Sequence, residues 1–378
     1  MILKKLKHFI KLKLPFLALA LIKYRDNNFY FRKLNNIFFI LNKNVHGKKI
    51  IKTETGILID LSIKNFVSHT IRPKNNENIE IENEQYNNDS TAIIIQGSIY
   101  GIKNFVIETI KLYKKLFCKT TIILSIWNDE IDSNFLSICK ELQIEIIINK
   151  KVKTLFNTNL QIISTSSALD LAKKLNKKFT LKTRTDCRIY KKNSIQQMKN
   201  LLKIFPLDVK FNFLKNRIIS CSIDTRKYRV YGLSDILMFS LTDNLINYFK
   251  NEDFEQSLDR LNMGKHPVLI NETIVINEIF LCARYLMNNS IKIDWSLEDW
   301  WNKCRDIFCV IDAKAIDFFW YKYHWKYEQR FESNYTSDFN QAMSFSDWLN
   351  LYCNKDYNFN ILHKEKWLLK NGLIIQND

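Results

Sequence analysis

Residues 179–190, FTLKTRTDCRIY, hold the densest group of side chains in this chain that could do chemistry. In an extended strand the period of two puts Lys182, Arg184, Asp186 and Arg188 on one face and Leu181, Thr183, Thr185 and Cys187 on the other. Charges of both signs beside an apolar strand are too costly to bury without partners, so that face is expected to meet solvent or a charged ligand. As chemistry it reads as an edge for phosphate and metal. An edge strand whose charges deter aggregation is the structural alternative.

The flanking sequence supplies elements to carry such a face. The apolar run TAIIIQGSI, a helical pattern over 104–117, the run TTIILSIW, a helical pattern over 132–142 and the run IEIIIN follow one another, the alternation of a parallel sheet with crossovers. A further helix from about residue 165 to 175 feeds the charged strand. Open sheets of this kind place ligands at the carboxyl ends of their strands. Those ends are Gln96, Gly97 and Ser98, then Asn128, Asp129 and Glu130, then Asp186 and Arg188. No GxGxxG and no GxxxxGK[ST] occurs, so a nucleotide would have to be held another way. Beyond Pro206, CSIDTRKYRVYG reads as a strand, Asp235 interrupts the apolar run LSDILMFSL, and residues 272–287 read as a helix.

A chain of 378 residues can bury a substantial core. Its net charge of +18 suits anionic nucleotides, phosphorylated saccharides, an acidic membrane surface or nucleic acid, although a composition crowded with Asn, Lys and Ile accounts for part of it. The eight cysteines form no CxxC pair, which leaves buried thiols in a reducing cytoplasm as the expectation, without zinc or disulfides. Residues 1–71 form a basic segment with one apparent strand pair, KKIIKTET and GILIDLSI. Its apolar run over 14–22 is shorter than the roughly 20 residues needed to span a bilayer. Lys4, Lys5, Lys7, Lys11 and Lys13 beside Leu and Phe fit an amphipathic helix, on an anionic membrane face or packed against its own domain. Residues 72–90 read as a linker or long loop, 91–351 as the main domain and 352–378 as an extension. The last hundred residues hold seven of the eight tryptophans, which are expected to be mostly core with some rings facing an acceptor.

From Thr91 to Leu351 the order of IIIQGSI, FVIETIKLYKKLF, TIILSIW, LKTRTDCRIY, KYRVYGLSDILMFS, NEIFLCARYL, RDIFCVIDA and FFWYKY resembles the WavE-type lipopolysaccharide-synthesis family. The resemblance implies an α/β, GT-A-like (Rossmann-like) fold: a mixed, mostly parallel sheet flanked by helices, with an aromatic-rich helical carboxyl-terminal part. It further implies a cytoplasmic, peripherally membrane-associated glycosyltransferase using a nucleotide-sugar donor and a lipopolysaccharide-core or other surface-glycan or glycolipid acceptor. In GT-A enzymes a helix precedes a strand ending in Asp-x-Asp, whose carboxylates hold a divalent cation on the donor diphosphate. Thr185, Asp186, Cys187 and Arg188 stand there, with one carboxylate, so a Mg²⁺ or Mn²⁺ requirement stays open.

On that resemblance Asp186 would serve the metal or the donor sugar and ribose, Arg184 and Arg188 the diphosphate, and Lys182 a structural carboxylate. Gln96 would meet base or ribose, Gly97 and Ser98 the nucleotide by close approach, and Asp129 the base. Glu278, in a helix start similar to acid-x-x-Leu-x-x-Arg with Leu281 and Arg284, would be the catalytic base, with Asp235 a second candidate. Two other readings compete. A sugar-nucleotide nucleotidyltransferase would ordinarily carry a glycine-rich first loop followed by Arg and Lys, which IIIQGSIYGIKN lacks. A basic nucleic-acid-binding module is disfavoured by the opposed charges over 182–188.

Overall fold

The computed structural model of the chain describes residues 50–52, 58–60, 72–79, 88–152, 157–250, 277–322, 341–357 and 359. Two short strands, β1 (Ile50–Lys52) and β2 (Leu58–Asp60), pair antiparallel, as the strand pair read from the sequence requires. The main sheet is built from β3 (Thr91–Gln96), β4 (Thr121–Trp127), β5 (Glu145–Asn149), β6 (Phe179–Arg184), β8 (Ile218–Cys221), β9 (Met238–Leu241) and β10 (Phe308–Ile311), in the order β10-β8-β9-β6-β3-β4-β5. Six of these run the same way, and β9 lies antiparallel between β6 and β8. A separate two-stranded sheet pairs β7 (Cys187–Ile189) with β11 (Phe318–Trp320).

Helices cover the sheet, which is why β3, TAIIIQ, is buried at all six residues. They are α1 (Lys103–Leu116), α2 (Ser133–Glu141), α3 (Thr158–Lys174), α4 (Ser194–Ile204), α5 (Thr242–Tyr248), α6 (Asn277–Asn288), α7 (Leu297–Ile307) and α8 (Phe345–Cys353). Local capping fixes several starts: Asp132 accepts from Phe135 N at α2, Ser296 from Asp299 N at α7, and Ser344 with Asp347 forms a capping box at α8. Helix α3 lies over β3, β4 and β5, α5 packs on α3 and on β6 and β9, and α7 and α8 pack on each other and on β10.

The chain steps from β3 to β4 to β5 on one side, then crosses through α3 to β6 on the other side of β3. The order reverses at that step. The carboxyl edge of the sheet at β3 and β6 is therefore its topological switch point, where open α/β sheets take ligands in a crevice.

Several expectations change. Residues 179–190 are not one strand: β6 stops at Arg184, the backbone turns at Thr185–Asp186, and β7 joins the other sheet. Pairing to β11 re-aims the chain, so the period of two holds only up to Arg184. Helix α3 begins at Thr158, seven residues ahead of its expected start. The run CSIDTRKYRVYG leaves the strand at Cys221 and becomes a loop with Asp224 and Tyr231 at positive φ.

Residues 72–79, expected within a linker, are docked: Arg72 Nε donates to Asp317 Oδ1 at 2.8 Å, and Asn76 N donates to Glu108 Oε2 at 3.0 Å. Of the carboxyl-terminal tryptophans in the described residues, Trp295, Trp300, Trp301, Trp320 and Trp348 are all buried. Four of them also tie the fold, with indole N–H groups donating to Arg226 O, Lys227 O, Asp186 Oδ2 and the Cys304 and Phe308 carbonyls. All eight cysteines are free thiols, six of them buried. The expected amino-terminal helix and the residues beyond 359 lie outside the described residues.

Candidate functional site

The loop after β3 and the loop after β6 are laced together. Gly97 sits at φ +127, and a Cβ there would lie 3.1 Å from Thr185 Oγ1. Thr185 N donates to Gln96 O at 3.0 Å and Thr185 Oγ1 to Ser98 O at 2.6 Å. Only glycine adopts that φ and still lets Thr185 close against the loop. From the other side Glu130 accepts from Ser98 Oγ and from Ile99 N, both at 2.7 Å. Lys151 Nζ bridges Glu130 at 3.4 Å and Asp129 at 3.1 Å. Asp129 is thus half exposed and ion-paired at the rim, while Glu130 shapes the loop.

Gln96 does not face the crevice as a free amide. It is buried, and its Oε1 accepts from Ser164 Oγ of α3 at 2.8 Å. That contact continues an internal polar chain in which Ser125 Oγ donates to Ser164 O and Asn149 Nδ2 to Ser125 Oγ. Four elements are locked in register by it, a structural role in place of the base or ribose contact expected for Gln96.

Asp186 and Arg184 form a forked pair, with Nε to Oδ1 at 2.9 Å and NH2 to Oδ2 at 3.1 Å. Trp320 Nε1 also donates to Oδ2 at 2.9 Å, and Cys187 Sγ lies 3.6 Å from Oδ1. Burial would raise the Asp186 carboxyl, but Arg184 and these donors hold it below the usual carboxylate range. Protein donors fill both oxygens, so Asp186 does not fit as a ligand for a divalent cation. Its work is to orient Arg184. The Arg184 side chain is 30 % exposed and lies over Trp320, and among the described residues its NH1 makes no hydrogen bond.

Arg188 is not at this site. It is 1 % exposed, on the α1 side of the sheet, and donates to Thr109 Oγ1, Phe105 O, Lys74 O and Tyr190 OH. The turn at 185–186 is the cause, since β7 leaves the sheet that carries Arg184. Arg188 holds the 72–79 segment to α1 and cannot reach a diphosphate.

Lys182 is buried against Phe249 and donates to the backbone carbonyl of Asp235. Burial pulls its ammonium down to about 8 against the opposing pull of Asp235. Asp235 reaches this edge because β9 runs backwards: Met238 pairs with Lys182, so the residues before β9 sit at the carboxyl end of β6. The Asp235 carboxylate accepts from Gln161 Nε2, whose own carbonyl accepts from Asn277 Nδ2 at 3.4 Å. Thr158 Oγ1 donates to Asn277 Oδ1. This chain joins the starts of α3 and α6 and so fixes Glu278 in the first turn of α6.

Glu278 is only partly exposed. Burial first, then the negative charges of Asp235 and Asp224, push its carboxyl up to about 8. Leu281 is buried, and Arg284 lies over Phe280 and donates to Tyr248 O, which anchors α6 to α5. Lys182 interacts electrostatically with Asp235, Arg184 and Glu278, so these four groups share one neighbourhood.

Gln161, Asn277, Thr158 and Trp320 complete the site and carry little signal in the sequence. Gln161 and Thr158 sit in the part of α3 ahead of its clear periodicity. Asn277 stands beside Glu278 without a pattern of its own, whereas Glu130 already reads from the sequence as a strand end.

Fold and site together define an α/β protein with a mostly parallel, mixed seven-stranded sheet flanked by helices and polar side chains gathered at its switch point. No family model matches the chain, and no curated protein matches it. No helix among the described residues is long and apolar enough to cross a membrane.

Proposed function

We propose that the chain is a GT-A-like glycosyltransferase that moves a sugar from a nucleotide-sugar donor to a surface-glycan acceptor of the kind the WavE-type resemblance implies. One observation carries the reading: Arg184, Asp235 and Glu278 converge at the carboxyl edge of the sheet beside the switch point. Sugar transfer needs a group to receive the acceptor hydroxyl's proton and a cation to meet the charge growing on the leaving diphosphate. Glu278 is the proton acceptor, its carboxyl raised toward neutral pH, where a general base works best. Asp235, held by Gln161, orients the acceptor and raises Glu278 by its charge. Arg184, braced by Asp186, offers its open edge to phosphate oxygens. The 97–100 loop, pinned by Glu130, lines the nucleotide's approach.

The test is thermal stabilisation by a panel of nucleotide sugars and nucleoside diphosphates, followed by transfer assays with the ligand that stabilises. Arg184→Gln is expected to lose the stabilisation, and Glu278→Gln to keep it while losing transfer by about 10²-fold or more. Stabilisation by no nucleotide, or transfer unaffected by Glu278→Gln, would overturn the reading.

A further inference from the structure

The edge of the sheet opposite the crevice carries an apolar and basic surface that the proposed chemistry does not use. Ile204 closes α4 and is 63 % exposed; Val209 and Phe213, in the 3₁₀ turn Val209–Leu214, are 81 % and 58 % exposed. Three of the large exposed apolar side chains among the described residues thus fall within ten positions. Phe211 and Leu214 of the same turn point inward and anchor it, which forces Val209 and Phe213 outward. Lys203, Lys210 and Lys215 are exposed among them.

The acids nearby do not cancel this charge. Lys210 Nζ pairs with Asp306 at 2.9 Å yet stays 56 % exposed, and Asp208 has Lys355 at 3.7 Å. Asp243 is shared by Lys215 at 3.7 Å and Lys173 at 3.1 Å, which makes the surface continuous with the basic end of α3. The strand register sets its position: β8 begins level with the amino end of β6, so residues 204–215 lie across the sheet from Arg184.

Exposed apolar side chains ringed by lysines fit one kind of partner well, the interface of an anionic bilayer, where apolar groups enter the acyl boundary and ammonium groups meet lipid phosphates. We propose that the 204–215 surface, at the end of the sheet away from Arg184, docks the protein on an anionic membrane.

Vesicles of phosphatidylglycerol and phosphatidylcholine, against phosphatidylcholine alone, test this on the full chain with Cys118 and Cys353 replaced by Ser. An environment-sensitive fluorophore on Val209→Cys or Phe213→Cys is expected to shift to the blue with anionic vesicles only, and the same label on Tyr100→Cys at the crevice edge to stay unchanged. The double variant Val209→Ser, Phe213→Ser, whose sites are exposed, is expected to weaken vesicle binding by about tenfold. Flotation without a shift at 209 and 213 would assign docking to another segment and overturn the proposal. So would an equal shift with neutral vesicles, or a lipid-independent shift that grows with protein concentration, which would mark a contact between copies.

Discussion

Removing the Arg188 side chain separates a structural arginine from a donor-binding one. Its guanidinium makes hydrogen bonds of 2.9 Å to Thr109 Oγ1, 2.9 Å to Phe105 O, 3.0 Å to Lys74 O and 3.1 Å to Tyr190 OH, and sits 4.1 Å from the centre of the Phe105 ring. Hydrogen bonds from a charged donor contribute roughly 1.5–3 kcal/mol each, but desolvating the guanidinium offsets much of the total. Breaking such a buried set from one side costs about 3–5 kcal/mol, the value expected for Arg188→Ala. Arg188→Lys should recover less than half of that, because an ammonium cannot fork toward Thr109, Phe105 and Lys74 together. The assay is urea unfolding at constant slope, beside donor affinity per folded molecule, which should be unchanged. A stability within about 1 kcal/mol of wild type, with donor KM raised tenfold or more, would refute the structural assignment.

Two further outcomes follow from the site. Folded Glu278 holds its proton to about 8, whereas an exposed glutamate releases it near 4.5, so between those values the folded chain binds more protons and stability falls as pH rises. Lys182 acts in the opposite sense, releasing its proton at about 8 when folded and near 10.5 when unfolded, so stability recovers across that window. A stability minimum near pH 8 is expected in denaturation midpoints measured across pH; Glu278→Gln should abolish the acid-side slope and Lys182→Met the alkaline one, and persistence of either slope in its variant would count against the assignment. Gly97→Ala forces a Cβ to 3.1 Å from Thr185 Oγ1 at φ +127, which should cost about 1–3 kcal/mol in thermal unfolding and weaken donor binding; a neutral result would mean the two loops are not coupled as described.

How far the site could be read from the chain follows from how local each signal is. The apolar runs of β3, β4 and β5 and the periodicity of α1 and α2 are local, since a strand buried on both faces or an amphipathic helix writes itself into consecutive residues. The strand-end positions of Gln96, Gly97, Asp129 and Arg184 follow from those runs, and Glu278 is marked as a candidate by the resemblance its acid-x-x-Leu-x-x-Arg helix start carries. Nothing local says that the backbone turns at Asp186. That turn comes from Trp320, 134 residues away, donating to its carboxylate, and from β11 pairing with β7. The same long-range event sends Arg188 to the far face and converts Asp186 from a metal candidate into the brace of Arg184. The approach of Asp235 to Lys182 is likewise decided by β9 inserting antiparallel between β6 and β8. Residue types and their spacing determined which groups were available for chemistry; strand pairing between distant segments decided which of them share a crevice, because direction and register belong to the sheet and not to any one strand.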